Sequence, residues 1–189
     1  MVTQALLTLS EYLELEQKAE VRSEYINGEI TPMPGSSVNH HRIAGNLLML
    51  LKIGLRGQDF FVAMGDMRLG IPQANNYTYP DLMVVSGEPM LFDNDISIVT
   101  NPCLIIEVLS RSTSDYDKGD KFDRYRSIPE FTEYVLVSQY QYHIIHYVKV
   151  DRGWLLTETS DLGGNLHLQS IDLDLSLADI YEQVSLTST

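Results

Sequence analysis

The order of polar and apolar positions predicts a helix at the start of the chain. In Thr8-Leu9-Ser10-Glu11 the threonine and the glutamate three residues later have the form of a capping box, and Tyr12, Leu13 and Leu15 follow on a helix running to about Glu20. Two short β runs, 21–26 and 29–33, flank Asn27-Gly28, the pair that supplies positive φ at a type I′ hairpin turn, and Pro32 and Pro34 stop the pairing. Ser36 or Ser37 can cap a long helix over 38–56, where Ile43, Leu47, Leu51 and Leu55 recur every four residues with Ala44 and Leu48 beside them. Strands are expected at 60–63, 66–71, 81–86 and 103–109. The last of these is apolar except for Glu107, as in a strand covered on both faces. A further helix is expected from caps at 112–115 to about Ser127, ended by Pro129. Strands at 133–138 and 142–150, a turn at Asp151-Arg152-Gly153, strands at 154–159 and near 166–168, and a short helix over 175–182 complete the chain. No internal repeat, low-complexity tract or linker interrupts it, which implies one α/β (α+β) domain over 1–189 with a mixed central β-sheet flanked by helices.

Composition narrows the class of protein. Hydrophobic residues at 44% and charged residues at 21% belong to a folded chain, which excludes disorder and collagen-like repeats. No apolar run approaches the roughly 18 residues of a membrane span. The first residues lack the basic and apolar segments of a secretory or transit signal, and the single cysteine, Cys103, rules out an intrachain disulfide. A cytoplasmic location, away from membranes, is the expectation. The formal net charge is −13, which repels phosphate backbones at long range, so any action on nucleic acid must come from a local site. The tyrosine-rich stretch with Tyr134, Tyr140, Tyr142 and Tyr147, together with Trp154, predicts an aromatic surface suited to a homodimer.

Chemistry gathers around two carboxylates. Tyr79-Pro80-Asp81 leads into one apolar strand, and Glu107 interrupts another. A lone charge in such a run costs several kcal/mol unless it is paired, hydrogen-bonded or bound to a metal. Two carboxylates on neighbouring strands are mutually repelling, and a hard divalent cation relieves that. The structural alternative is that Asp81 merely ends a turn and Glu107 pairs with Arg111 or Lys121. Asp117, Lys121 and Tyr125 fall at i, i+4 and i+8 on one helix face just after the Glu107 strand, so a lysine can point at the carboxylates, while Lys118, Asp120 and Asp123 read as a solvated face. Two carboxylates and a lysine meet the needs of phosphodiester cleavage. Arg111, Ser112 and Thr113 lie on the loop after Glu107, where amides at a helix start can hold a phosphate. His143 and His146, three apart in a strand, point to opposite faces and do not suggest a shared metal.

Several segments together resemble the Uma-two family of restriction-endonuclease-like proteins in the PD-(D/E)XK nuclease superfamily. They are Glu24-Tyr25-Ile26-Asn27-Gly28-Glu29-Ile30, His40-His41-Arg42-Ile43, Asp66-Met67-Arg68, Tyr79-Pro80-Asp81, Asn101-Pro102 with Glu107-Val108-Leu109-Ser110, Asp117 with Lys121 and Tyr125, Glu133-Tyr134, and Leu175 to Tyr181. The resemblance covers almost the whole chain. It implies a restriction-endonuclease-like core carrying an extra N-terminal hairpin and C-terminal strands, with Asp81 and Glu107 binding Mg²⁺ or Mn²⁺ for hydrolysis of DNA. The superfamily lysine belongs two residues after the acid, where this chain has Leu109, so Lys121 looks like its migrated substitute. Glu24 or Glu29 is a candidate further metal ligand, and His40 a candidate phosphate contact or proton carrier. The alternative function is a non-catalytic, homo-oligomeric interaction or regulatory protein that keeps the nuclease fold, a reading the net charge favours.

Overall fold

A computed structural model describes residues 6–33, 35–93, 95–110 and 114–186. Helix α1 (Leu9–Glu16) carries the expected capping box: the Glu11 amide donates to Thr8 Oγ1 at 3.3 Å, and the Thr8 amide donates to Glu11 Oε2 at 2.8 Å. It ends four residues earlier than the sequence pattern suggested. Strands β1 (Ser23–Ile26) and β2 (Glu29–Pro32) form the hairpin, with Asn27 at φ 51° and Gly28 at φ 95°. Helix α2 (Val38–Gly54) is capped by Ser37, whose hydroxyl accepts from the His40 amide at 3.1 Å.

The strands divide into two six-stranded sheets and a hairpin. One sheet has the order β12-β11-β10-β9-β6-β3, built from β3 (Phe60–Met64), β6 (Leu82–Ser86), β9 (Leu104–Leu109), β10 (Glu133–Ser138), β11 (Ile144–Val150) and β12 (Gly153–Thr159). The other runs β2-β1-β5-β4-β8-β7, adding β4 (Arg68–Ile71), β5 (Asn76–Thr78), β7 (Leu91–Phe92) and β8 (Asp95–Val99). The hairpin pairs β13 (Asn165–Leu168) with β14 (Leu173–Ser176) and leads into α5 (Leu177–Ile180). The segment 87–98, in which the sequence pattern predicted no strand, contains β7 and most of β8.

Alternation along the first sheet separates two cores. Leu82, Val84, Leu104 and Ile106 face α2, where Ile43, Leu47 and Leu51 are fully buried, each such burial contributing about 1.5–3 kcal/mol. Met83, Val85, Ile105 and Leu109 face the opposite way, toward Leu69 and Ile71 of the second sheet and Phe122 and Tyr125. Tyr134, Tyr147, Trp154, Phe122 and Phe131 pack ring against ring in this second core, with centroids 4.5–6.2 Å apart. Of the aromatic residues expected to form a homodimer surface, Tyr134 is buried and Tyr147 and Trp154 are half-buried in this core, while Tyr140 and Tyr142 are exposed. Among the described residues, no helix is long and apolar enough to cross a membrane.

Candidate active site

The site begins in strand register. Strands β6 and β9 are antiparallel, with Leu82 opposite Ile106, so the next pair outward is Asp81 opposite Glu107. Both residues share the face of Met83 and Ile105. The crossing is locked from each side: the Val108 amide donates to Asp81 Oδ2 at 2.7 Å, and the Asp81 amide donates to Glu107 Oε2 at 3.3 Å.

The third helical segment supplies the positive charge. It starts as α3 (Ser114–Tyr116), widens into a π-helical turn at Asp117–Lys121 and closes as α4 (Phe122–Tyr125). Such widenings are frequent at functional sites. Asp117, Lys121 and Tyr125 face inward as expected, while Lys118, Asp120 and Asp123 are exposed. Lys121 Nζ lies 2.8 Å from Glu107 Oε1, 3.5 Å from Asp117 Oδ1 and 3.6 Å from Glu24 Oε1. Tyr125 donates to Glu107 Oε1 at 2.8 Å, and Tyr134 donates to the Asp117 carbonyl at 3.1 Å, which fixes the π-helical turn. The Glu107–Lys121 pair weighed on sequence grounds thus exists, inside the same cluster as Asp81. Arg111, Ser112 and Thr113, and the phosphate-holding loop they suggested, lie outside the described residues.

Glu24 and His40 join from the other elements. Glu24 of β1 accepts hydrogen bonds from the Thr78 hydroxyl and, at 3.1 Å, from Tyr116, whose ring also lies under Arg124. His40, in the first turn of α2, places Nε2 at 3.1 Å from Asp81 Oδ2; its Nδ1 is buried with no hydrogen-bond partner among the described residues. Glu29 does not join. It is exposed on β2 and does not line the cavity, because it pairs with Ile26 beside the hairpin turn, away from Glu24. His143 and His146 are separate, one at 3.2 Å from Glu158 and the other at 2.6 Å from Glu133.

Glu24, His40, Asp81, Glu107, Asp117 and Lys121 line a cavity of about 780 Å³. Burial is the main force on its chemistry. It pushes the Glu107 carboxyl up to about 8, helped by Asp81 and Asp117 and opposed by Lys121. For Lys121, burial works against the charge, but Glu107, Glu24 and Asp117 outweigh it and hold the ammonium protonated well above its usual range. Burial likewise raises Tyr125 and Tyr134, so both stay hydrogen-bond donors.

Reading the sequence did not find Thr78, Tyr116 or Gln139 as site residues. Gln139 follows β10, whose Ser138 pairs with Leu109 of the parallel β9, and it donates to the Leu109 carbonyl at 2.8 Å while accepting from Ser37. A polar residue closing a fully buried strand was the available signal. Thr78 and Tyr116 had none, since only the fold brings them to Glu24.

Residues 9–179 match the sequence pattern of the Uma2 family, described as "putative restriction endonuclease". The chain belongs to the Uma2 family. An uncharacterized protein of Synechocystis sp. is 45% identical over 170 residues, covering 89% of this chain and 95% of the relative. A second uncharacterized Synechocystis protein is 36% identical over 175 residues, covering 93% and 91%. The fold is shared with a crystal structure from Anabaena variabilis, described as "a putative nuclease belonging to DUF820", at a TM-score of 0.75 and 19% identity over 95% of this chain and 99% of that one. In this Uma2 chain the family match spans every element that contributes to the cavity, from β1 through the residues after β10.

Proposed function

We propose that this protein is a cation-dependent nuclease that hydrolyses phosphodiester bonds of DNA, with Mg²⁺ or Mn²⁺ held by Asp81 and Glu107. The observation that carries the reading is the cross-locked Asp81–Glu107 pair with Lys121 in the same buried cluster. Four carboxylates, Glu24, Asp81, Glu107 and Asp117, share the cavity with one lysine, so the cluster is short of positive charge. Among the described residues, no three His, Cys, Asp or Glu are arranged to hold an ion. The reading rests on the two carboxylates Asp81 and Glu107, a number that Mg²⁺ takes while keeping water in its other positions. Glu107 Oε1 is taken by Lys121 and Tyr125, which leaves Oε2, with one long hydrogen bond, as the better ligand atom.

When bound, the cation supplies Lewis-acid polarisation of the phosphodiester and an acidified water. The chain's own groups do the rest. Val108 and His40 hold Asp81 in place, and Tyr125 holds Glu107. Lys121, kept protonated by its three carboxylates, sits where it stabilises charge developing on the phosphate. Hydrolysis of DNA and RNA substrates with Mn²⁺ tests the reading. Asp81→Asn or Glu107→Gln should abolish turnover, whereas Lys121→Ala should lower kcat more than cation affinity, because an ammonium is not a ligand. Equal traces in wild type and Asp81→Asn would mean a contaminant. No hydrolysis and no cation-dependent stabilisation would leave the non-catalytic reading.

A further inference from the structure

The edge of a sheet is a row of backbone amides and carbonyls ready to pair with another chain, and proteins shorten, bulge or cover their edges for that reason. Three of the four edges of the two large sheets are short or covered. β2 has four residues and ends on Pro32, β7 has two and meets β8 through a register shift, and β3 has five, of which Val62 and Ala63 are buried. β12 differs. It runs seven residues without proline, pairs with β11 on one side, and among the described residues has no strand on the other. Leu155 and Leu156 are 52% and 46% exposed, one on each face of the sheet, and Val150, opposite Gly153, is exposed as well. The acidity of the chain, which repels a second copy at long range, is balanced here, where Lys149 and Arg152 stand beside Asp151 and Glu158.

We infer that β12 pairs antiparallel with β12 of a second copy of this chain, about a two-fold axis at Leu155, so that one continuous sheet crosses a homodimer. The strand's own sequence selects the register. A two-fold axis perpendicular to the sheet sets residues of the same face opposite one another. With Leu155 opposite its own copy, Trp154 stands opposite Leu156 and Arg152 opposite Glu158, and each pair occurs twice. An axis at Leu156 sets Trp154 against Glu158 and Arg152 against Ser160, and an axis at Trp154 sets Arg152 against Leu156 and Val150 against Glu158, so only Leu155 matches apolar with apolar and charge with opposite charge. Glu158 has Oε2 at 3.2 Å from His143 Nε2, which leaves Oε1 for the arginine.

No residue of β12 lines the cavity, so the pairing is tested without activity. Sedimentation equilibrium at micromolar concentrations should give a dimer mass for the wild type. Leu155→Lys, which sets two ammonium groups against each other on the axis, should give a monomer with an unchanged circular dichroism spectrum. Arg152→Glu and Glu158→Arg each turn both ion pairs into like-charge pairs, and each should weaken the dimer by about tenfold. In an equal mixture of the two, a copy of one facing a copy of the other has opposite charges at both places, and the mixture should recover the wild-type affinity. A wild type that stays monomeric leaves the edge to a strand of another protein and overturns the inference. So does a dimer that Leu155→Lys leaves intact, or a mixture of the charge variants that associates no more tightly than either alone. If Leu155→Lys does not fold, the charge exchange, made at two exposed residues, decides by itself.

Discussion

Glu107 is the residue on which the electrostatics of the site turn. Its ordinary pKa of 4.5 is pushed up to about 8 in the native state, so the folded protein holds this proton more tightly than the unfolded chain does. The resulting stabilisation is fully present below about pH 4.5 and is lost as pH rises through about 8. In EDTA, thermal stability should therefore fall between those values, and Glu107→Gln, which keeps the shape without titrating, should remove that part of the slope. The difference between the two melting curves across pH is the measurement; identical slopes would place the proton elsewhere. Asp81, Glu107 and Lys121 were legible before any coordinates because each breaks a local pattern: a charge in an apolar strand, or a lysine aligned with a buried helix face. Glu29 has the same chemistry and, opposite Ile26, lies on the same face of the hairpin as Glu24, but its place beside the turn leaves it in solvent.

At the scale of elements, what is local in sequence was readable. The Thr8 capping box, the Asn27-Gly28 turn, the Ser37 cap and the four-residue repeat of α2 each act within a few residues, and all appear where expected. Strands β5, β7, β8 and β14 were not predicted. β5 has three residues, whereas β8 carries an alternating Asp95-Ile96-Ser97-Ile98 pattern too short to stand out by itself and gains its place by pairing in parallel with β4, about thirty residues earlier by register (Arg68 with Ile98). The tie between β10 and the C-terminal hairpin is equally non-local. Glu133, fully buried, accepts from the Gln169 amide at 2.8 Å, the Ser170 amide at 2.9 Å and the Ser170 hydroxyl, and lies 2.6 Å from His146 Nε2. Burial opposes its charge, but these bonds win and hold its pKa below the usual value. Glu133→Gln should cost about 2 kcal/mol in urea unfolding at neutral pH and speed amide exchange at Gln169 and Ser170. Because the wild-type carboxylate's contribution is lost as pH falls through its lowered native pKa, the difference between the two proteins should shrink in acid.

Across the whole molecule, 26 acidic residues against 13 basic ones put a self-repulsive field over the fold, and the cavity concentrates four carboxylates of that excess around one lysine. The sequence gives the total charge but not this placement, which depends on β1, α2, β6, β9 and the π-helical turn meeting at one point. A cation that binds there and not to the unfolded chain stabilises by mass action, with about 2.7 kcal/mol expected at a hundred times its Kd. Mg²⁺ or Mn²⁺ should therefore raise the Tm in a saturable way, whereas added monovalent salt, which only screens the general field, should act gradually and without saturation. In the double variant Asp81→Asn with Glu107→Gln, the saturable part should vanish. Above about pH 8, where Glu107 is ionised, the metal-free Tm of that variant should equal or exceed that of the wild type, since two mutually repelling carboxylates are gone while Val108 and Tyr125 keep their acceptors. A divalent response unchanged in the double variant would place the cation elsewhere on the acidic surface and would detach the Asp81–Glu107 pair from metal binding.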